Sequence, residues 1–406
     1  MSFLPRLGCL LSLLPLAGLA RAERVDFDAG PQASTPSLTV DPARGLVLTW
    51  QARQGRQSSL NFALLSAEGR ELRRGVIASG SDWFVNWADF PSLAVLDNSD
   101  WVTYWLQKSA PDTYAYDLRV LRSSNGGGRW GSALTPHDDG TPTEHGFASM
   151  LPLGGSQVQL LWLDGRHSRG AADAHAEGHT DEGPMTLRGA TLDWRGRILD
   201  PVELDARTCS CCQTDVARMG DRALLVYRDR SEDEIRDIRL VERGSDGAWS
   251  TPMLVHEDHW KIAACPVNGP AIAANGERAL VAWPTQVGAD MAVRYRVRIA
   301  DGWLPMQTLE QSPQTLGRVD VAADADGGFA LSWVGAGSKK DGVALKLARL
   351  DADGMPLGAA REIAALEPGR STGNPRLAWY RNAHYLAWTE SAGAGSTRVV
   401  LQRIER

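Results

Sequence analysis

Seven short apolar runs, each ending in an aromatic residue, recur along the chain at nearly regular intervals. The runs are short and alternate with period two, which is typical of β-strands. Their aromatic ends are separated by 55, 57, 65, 56, 50 and 55 residues, and they are Trp50, Trp105, Trp162, Tyr227, Trp283, Trp333 and Trp388. A strand-rich repeat of this length predicts a β-propeller with one blade per repeat. The repeat also accounts for the 15 tryptophans, because a large aromatic side chain suits the interface between neighbouring blades.

Each repeat divides into four strands. An inner strand precedes the aromatic run, the aromatic run is the second strand, and a third strand such as "IRDIRLVER" follows. The seventh repeat ends the chain without a fourth strand, whereas "ERVDFD" at residues 23–28 is a spare strand. We therefore predict an all-β fold, a seven-bladed β-propeller of four-stranded blades that is closed by the N-terminal strand. The alternative is a six-bladed ring with one repeat outside it.

Residues 1–22 have the features of an export signal. Arg6 supplies a positive charge, "LGCLLSLLPLAGLA" is an apolar segment, and "ARA" at Ala20–Ala22 fits the small-residue cleavage rule. The sequence therefore predicts a signal peptide over residues 1–22, a single propeller domain over residues 23–406, and a periplasmic or secreted protein. Cys9 would leave with the signal.

The charge of the chain excludes some classes of partner. The net charge is −6, and loss of Arg6 and Arg21 with the signal makes it −8. An acidic chain without a basic run argues against binding to nucleic acid or to anionic membranes. No second long apolar run follows the signal, so we expect no membrane span in the mature protein. We also expect a monomer.

One turn carries a resemblance to a known family. The stretch "SSNGGGRW", Ser123–Trp130, matches the Asp-box pattern at Ser123, Asn125, Gly127 and Trp130, with Asn125 replacing the usual Asp. "SDGAW" at residues 245–249 and "ADGW" at residues 300–303 are shorter forms of it. The chain thus resembles the sialidase-like, Asp-box β-propellers. Asp boxes are structural turns, so the resemblance implies the fold and says little about the chemistry.

The catalytic pattern of that family is not met in the sequence. Sialidases are generally six-bladed and combine three arginines, a Tyr–Glu nucleophile pair and an acidic Asp. The chain lacks the Arg-Ile-Pro motif near its start, and the sequence assigns no Tyr–Glu pair. Arg228, Arg230 and Arg318 could imitate the arginine cluster, and Asp229 could act as an acid or base. These four residues are the candidates for catalysis or for binding an anion.

The cysteines are grouped. "RTCSCCQTD" holds Cys209, Cys211 and Cys212 at the entry to the fourth blade, and Cys265 precedes the matching entry to the fifth. In an exported protein, disulfides Cys209–Cys212 and Cys211–Cys265 are one interpretation. A thiolate site for copper(I) or zinc is another, with His145, His167, His256 and His259 as further ligands. A redox-active or catalytic thiol is the third.

A His-rich segment, residues 164–183, lengthens the third repeat. His175 and His179 are four residues apart. The segment is interpreted either as a solvated loop or as a lid or metal-gathering arm over the channel.

The sequence leaves two functions open. The leading hypothesis is a binding protein for a soft metal, most simply copper, or for a small anionic ligand, with zinc as a further possible ion. The rival hypothesis is a sialidase-like enzyme or glycan-binding protein that uses the same face, so the sequence does not decide whether the protein is an enzyme.

Overall fold

A computed structural model describes residues 22–168, 183–393 and 395–405. These residues form strands and connecting turns and contain no α-helix. None of the described segments is therefore a helix that could cross a membrane.

The strands form seven antiparallel sheets. From the inner to the outer strand, blade 1 comprises β2 Ala33–Asp41, β3 Gly45–Gln54, β4 Gln57–Leu65 and β5 Glu71–Gly80. Blade 2 comprises β6 Leu93–Val95, β7 Trp101–Lys108, β8 Tyr116–Ser124 and β9 Arg129–Trp130. Blade 3 comprises β10 His145–Gly154, β11 Gln157–Asp164, β12 Met185–Leu192 and β13 Ile198–Thr208. Blade 4 comprises β14 Asp215–Met219, β15 Arg222–Arg228, β16 Ile238–Arg243 and β17 Met253–Leu254. Blade 5 comprises β18 Ala271–Asn275, β19 Arg278–Val287, β20 Asp290–Ile299, β21 Gly302–Trp303 and β22 Gln307–Ser312. Blade 6 comprises β23 Gly317–Ala323, β24 Phe329–Ala336, β25 Val343–Leu350 and β26 Arg361–Leu366. Blade 7 comprises β27 Arg376–Tyr380, β28 Ala383–Gly393, β29 Ser396–Glu405 and β1 Ala22–Arg24.

The seven-bladed prediction is confirmed, and the seventh sheet excludes the six-bladed alternative. Blade 5 differs only in its outer strand, which is divided into β21 and β22, both paired with β20. The turn that resembles an Asp box lies between β8 and β9, the third and fourth strands of blade 2. Within it the Ser123 hydroxyl accepts a hydrogen bond from the Gly127 N–H at 2.8 Å.

The N-terminal strand closes the ring, as predicted. Strand β1 pairs antiparallel with β29, with Ala22 opposite Ile404 and Arg24 opposite Gln402. The next residues join blade 7 to blade 1: the Trp50 indole N–H donates to the carbonyl of Ala29 at 3.0 Å, and the Phe27 ring meets the Trp50 ring edge to face.

The apolar core lies between the blades. Seven clusters of buried side chains each combine residues from two neighbouring blades, and together they occupy all seven interfaces. Six of the seven repeat aromatics are buried there, as predicted. Trp105 is the exception, because it is only half-buried and stacks on Trp83. Trp101 is instead the fully buried tryptophan of blade 2, and its indole N–H donates to the Asp41 carboxylate of blade 1 at 2.8 Å.

Buried carboxylates link the inner strands of successive blades. Asp89 accepts from the Phe147 N–H at 2.9 Å, Asp215 from the Ile272 N–H at 2.9 Å, and Asp320 from the Leu377 N–H at 2.7 Å. Burial raises the pKa of Asp89 to about 7 and that of Asp215 to about 6. These contacts fix the entries of the inner strands, where the predicted site residues lie.

Replacement of Phe27 by Ala tests the closure of the ring. We expect Phe27→Ala to lower the free energy of unfolding by about 1–3 kcal/mol, because the ring is partly buried and loses its contact with Trp50. Leu72→Ala is the control, since Leu72 is 56% exposed on the outer strand of blade 1, and should cost less than about 0.5 kcal/mol. Denaturant unfolding measures both. Equal, small effects of the two substitutions would contradict the closing role of the N-terminal segment.

Candidate functional site

The three clustered cysteines lie in the loop from β13 to β14, at the entry to blade 4. Cys209 and Cys212 are each 1% exposed, and Cys211 is also buried. The Cys209 sulfur lies 3.7 Å from that of Cys211 and 3.4 Å from that of Cys212. All three sulfurs lie within 4.8 Å of one another. This set of three side chains is called the cysteine cluster below.

Cys265 lies beside the cysteine cluster, on the loop that enters blade 5. Its side chain is exposed, and it is hydrogen-bonded to Cys211. None of the four described cysteines is in a disulfide, so neither of the two disulfides considered from the sequence is formed in the structure. The 3.4 Å between the Cys209 and Cys212 sulfurs is well beyond the about 2.05 Å of an S–S bond.

The entry loops of blades 4 and 5 are locked together around the cluster. The Gln213 amide accepts from the Gly269 N–H at 2.9 Å and donates to the Ala88 carbonyl of blade 2 at 2.6 Å. A Cβ at position 269 would lie 2.2 Å from the Gln213 carbonyl oxygen, so only glycine allows this approach. The next residue back, Asn268, donates its backbone N–H to the Cys212 sulfur at 3.4 Å. The loop sequence "NGP" thus positions one of the sulfurs.

Arg236 contacts the cluster directly. Its guanidinium donates to the Cys209 sulfur at 3.2 Å, to the Ile262 carbonyl at 3.1 Å and to the Glu234 carboxylate at 2.8 Å. The side chain is 3% exposed, so these contacts hold a cation inside the protein against the sulfur. Arg236 comes from the loop between β15 and β16 of the same blade.

The surroundings separate the acidities of the three thiols. Burial disfavours a thiolate, but for Cys209 this is outweighed by hydrogen bonds with the Cys211 and Cys212 thiols and by Arg236, so its pKa is held well below its usual range. Burial and the interaction with Cys209 raise the pKa of Cys211 well above its usual range and that of Cys212 to about 12. Of the three thiols, Cys209 is therefore the one whose ionisation the surroundings favour.

Two of the arginines proposed as catalytic candidates are structural. Arg228, 1% exposed, uses its guanidinium to bind the carbonyls of Asn268, Arg236 and Pro284 at 2.6–3.1 Å. Arg318 is also buried and donates to the carbonyls of Gly369 and Gly373 at 2.6 and 3.1 Å. Burial lowers the pKa of Arg318 to about 10. Both side chains hold loops together, and their guanidinium groups bind backbone carbonyls rather than a substrate anion.

The other two candidates are also engaged within the protein. Arg230 binds the Glu234 carboxylate at 2.7 and 3.0 Å. Asp229 lies 2.6 Å from the Arg239 guanidinium, and burial raises its pKa. The structure therefore does not assemble Arg228, Arg230 and Arg318 into an anion-binding cluster.

The histidines considered as ligands lie apart from the cysteines. In the described residues the cysteine cluster includes no imidazole. His145 lies instead in a separate group with Asp139 and Asp164. His167 and His259 are exposed, and His256 is paired with Asp258 at 3.0 Å. His175 and His179 lie outside the described residues, so the predictions for the His-rich segment stay predictions.

The structure contains a Tyr–Glu contact that the sequence did not reveal. The Tyr116 hydroxyl donates to Glu144 at 2.6 Å and lies 3.1 Å from Asp89. Tyr116 is 0% exposed, and burial together with the Glu144 and Asp89 carboxylates raises its pKa well above its usual range. A buried, neutral phenol of this kind does not have the access or the acidity of a nucleophile. Its two partners come from two different loops, and no sequence spacing could have shown that they meet.

The comparisons with known proteins show the fold. No protein-family model matches the chain, and no curated protein sequence matches it. An ulvan lyase, described as a new family of polysaccharide lyase, is similar with a TM-score of 0.52 and 10% identity over 94% of this chain and 96% of that one. A mutant NanB sialidase from Streptococcus pneumoniae has a TM-score of 0.49 and 8% identity over 95% and 94% of the two chains. Trypanosoma rangeli sialidase has a TM-score of 0.48 and 12% identity over 95% of this chain and 60% of that one.

The seven-bladed ring agrees with the predicted resemblance to sialidase-like propellers, and the similarity to the ulvan lyase is a likeness of fold alone. At these identities the likeness carries no residue roles to this chain. The chemistry has to be argued from the site itself.

Removal of the Arg236 charge tests the electrostatics of the cluster. We expect ultraviolet absorbance of the reduced, metal-free protein to show a thiol that ionises at a lower pH than an ordinary cysteine, and Arg236→Met to move this ionisation to higher pH. The lowered pKa of Cys209 stabilises the folded state at pH values above about 8.5, the pKa of an unfolded thiol. That stabilisation is lost as the pH falls through the folded pKa of Cys209. Arg230→Met, which removes a guanidinium that binds Glu234, is the control. Identical titrations for wild type and Arg236→Met would show that Arg236 does not hold the thiolate.

Proposed function

We propose that the protein binds copper(I) through Cys209, Cys211 and Cys212. The observation that supports this most strongly is the convergence of three buried sulfurs within 4.8 Å of one another, in a group that includes no imidazole of the described residues. Soft thiolate ligands select soft ions, and copper(I) accepts a shell of three sulfurs without further ligands.

The spacing of the sulfurs suits a shared ion. Metal–sulfur bonds of about 2.3 Å place sulfur ligands about 3.8–4.0 Å apart in tetrahedral or trigonal shells. The Cys209–Cys211 distance is 3.7 Å and the Cys209–Cys212 distance is 3.4 Å. Openings of about 0.3 and 0.6 Å would bring these two pairs to the about 4.0 Å spacing of a trigonal shell.

The charges of the pocket also suit this ion. Three thiolates and one copper(I) carry a net charge of −2, which is costly to bury without compensation. Arg236 lies 3.2 Å from the Cys209 sulfur, and the Arg228 charge acts favourably on the Cys212 thiolate. Two buried guanidinium groups therefore balance the charge of the loaded cluster.

Zinc is the second occupant to consider. Structural zinc takes four ligands, so it would need the Cys265 thiolate in addition to the cluster. Cys265 is exposed, whereas the three clustered cysteines form a buried set without it. The difference in the required ligands separates the two ions by experiment.

The other hypotheses are less well supported. A small anionic ligand would need free arginines, but Arg228, Arg230 and Arg318 are bound to protein oxygens. A glycan-cleaving enzyme of the sialidase type would need an accessible Tyr–Glu pair, and Tyr116 is fully buried. The similarity to the ulvan lyase is one of fold, and it assigns no catalytic or glycan-binding residue to this chain.

We also propose that the protein acts after export, in the periplasm or outside the cell. Residues 1–22 support this by their signal-like sequence. In an oxidising compartment free thiols are exposed to oxidation. Occupation by copper(I) would keep the sulfurs of the cluster in a metal-bound state, since metal binding and disulfide formation use the same atoms.

The test is an anaerobic titration of the exported, reduced protein with copper(I) against a coloured copper(I) chelator. The intact mass of this protein should correspond to a chain that begins near Glu23; a product that retains Met1 would contradict export. Wild type should hold one copper(I) per chain. Loss of a contact that only supports a metal ligand typically weakens binding by about 10–100-fold. Cys209→Ser and Cys212→Ser each remove a ligand itself, so each should weaken copper(I) binding by more than this.

Cys265→Ser is the matched control. Copper(I) in the three-sulfur cluster should keep its affinity in this variant, whereas a four-sulfur zinc site should lose it. A wild-type protein that yields all its copper(I) to the chelator, or a Cys209→Ser variant with unchanged affinity, would contradict the proposal.

A further inference from the structure

A second group of metal-type donors lies between blades 2 and 3, outside the cysteine cluster. The rings of His137 and His145 stack in parallel, with centroids 3.7 Å apart and an angle of 3° between their planes. Asp117 lies at one edge of the stack and Asp139 at the other. Asp117 is in β8, His137 and Asp139 are in the loop that follows β9, and His145 begins β10.

Asp139 fixes the hydrogen positions of the imidazoles. Its carboxylate lies 3.2 Å from the Arg166 guanidinium, 3.1 Å from Nε2 of His145 and 3.5 Å from Nδ1 of His137. An ionised carboxylate only accepts hydrogen bonds, so the nitrogens that face it carry the hydrogens. In a neutral His137 ring, Nε2 then carries its lone pair toward the opposite edge, where Nδ1 of His145 has the Tyr116 carbonyl oxygen as its hydrogen-bond partner.

Two oxygen acceptors, the Tyr116 carbonyl and the Asp117 carboxylate, lie at that opposite edge. Nδ1 of His145 lies 3.3 Å from the Tyr116 carbonyl oxygen and 3.7 Å from the Asp117 carboxylate. Nε2 of His137 lies 3.8 Å from the same carboxylate and makes no hydrogen bond, although the side chain is only 4% exposed. Lone pairs gathered in this way repel each other unless a cation lies between them. A second proton on each ring would relieve this repulsion, and one metal ion bound at this edge would relieve it as well.

We propose that Asp117, His137 and His145 form a site for a divalent ion of the zinc class, separate from the cysteine cluster. The three donor atoms lie within 4.8 Å of one another. Zinc bonds of about 2.0–2.2 Å to nitrogen and oxygen require donors about 3.3–3.5 Å apart in a tetrahedron. The observed 3.7 and 3.8 Å distances from Asp117 to the two ring nitrogens need only a small contraction.

The donor set selects the class of ion. Two imidazoles with one carboxylate suit zinc and similar divalent ions, whereas calcium and magnesium prefer oxygen and copper(I) prefers sulfur. The Tyr116 carbonyl oxygen or a water completes the shell. Asp139 then supplies the carboxylate that typically accepts the second N–H of a metal-bound histidine. Because ring lone pairs lie in the ring planes, binding tilts the two rings out of their parallel stack.

The site would join two blades. Strand β8 belongs to blade 2, whereas β10 belongs to blade 3. An ion held by donors from both stabilises the folded chain by mass action, because the unfolded chain does not gather these donors. The first expected signature is therefore a rise in the unfolding temperature with added Zn²⁺.

The experiment combines equilibrium dialysis against Zn²⁺ with thermal unfolding and with Co²⁺ as a spectroscopic substitute. Wild type should bind one equivalent of Zn²⁺ more than His137→Gln, and Asp117→Asn should lose the same equivalent. Asp139→Asn should keep the site with an affinity about 10–100-fold weaker, because it removes only the outer contact. The Co²⁺ difference spectrum between wild type and His137→Gln should lack thiolate-to-cobalt charge-transfer bands.

His256→Gln is the matched control, because His256 is also paired with an aspartate but lies outside the group. It should bind as much Zn²⁺ as wild type. Each variant must show cooperative unfolding without metal, which separates loss of the site from loss of the fold. Equal Zn²⁺ binding by wild type and His137→Gln would overturn the proposal. Thiolate bands in the difference spectrum would do so too, since they would assign the lost ion to the cysteines.

Discussion

Apolar packing between neighbouring blades is the interaction on which the rest of the structure depends. Each of the seven buried clusters needs side chains from two blades, so no blade buries its own core. The ring must therefore close, and Ala22–Arg24 closes it by pairing with the last strand of the chain. Closure brings loops that are far apart in sequence to one face. In this way the entry loops of blades 4 and 5 meet beside the cysteine cluster, and donors from blades 2 and 3 meet at the histidine pair.

Short polar contacts turn that face into a defined site. Asp89, Asp215 and Asp320 hold the inner strands of successive blades, and Gly269 allows the entry loops of blades 4 and 5 to meet. Arg228 and Arg318 add contacts to backbone carbonyls. The sulfurs are therefore held by a rigid frame rather than by a free loop, which favours a preorganised ligand set.

The repeat pattern predicted the fold because each blade repeats the same local signals. It predicted blade number, the role of the N-terminal strand, and the approach of Cys265 to the other cysteines. It assigned Trp105 as the buried aromatic residue of blade 2, whereas Trp101 is the fully buried one. The pattern does not separate the two residues, because both have the period-two spacing of one strand. It did not predict Arg236 as the partner of Cys209, or the contact of Tyr116 with Glu144. His145 was grouped with the cysteines, but it lies with His137, Asp117 and Asp139. These pairings depend on loop paths, and loop paths carry no periodic signal.

The two donor sets differ in the ions that they suit. One is three buried sulfurs beside guanidinium groups, and the other is two imidazoles between carboxylates. The central claim concerns the sulfurs, and X-ray absorption at the copper edge of the copper(I)-loaded protein tests it most directly. We expect a first shell of three sulfur atoms and no nitrogen or oxygen. A shell that contains imidazole nitrogen, or fewer than three sulfurs, would contradict it.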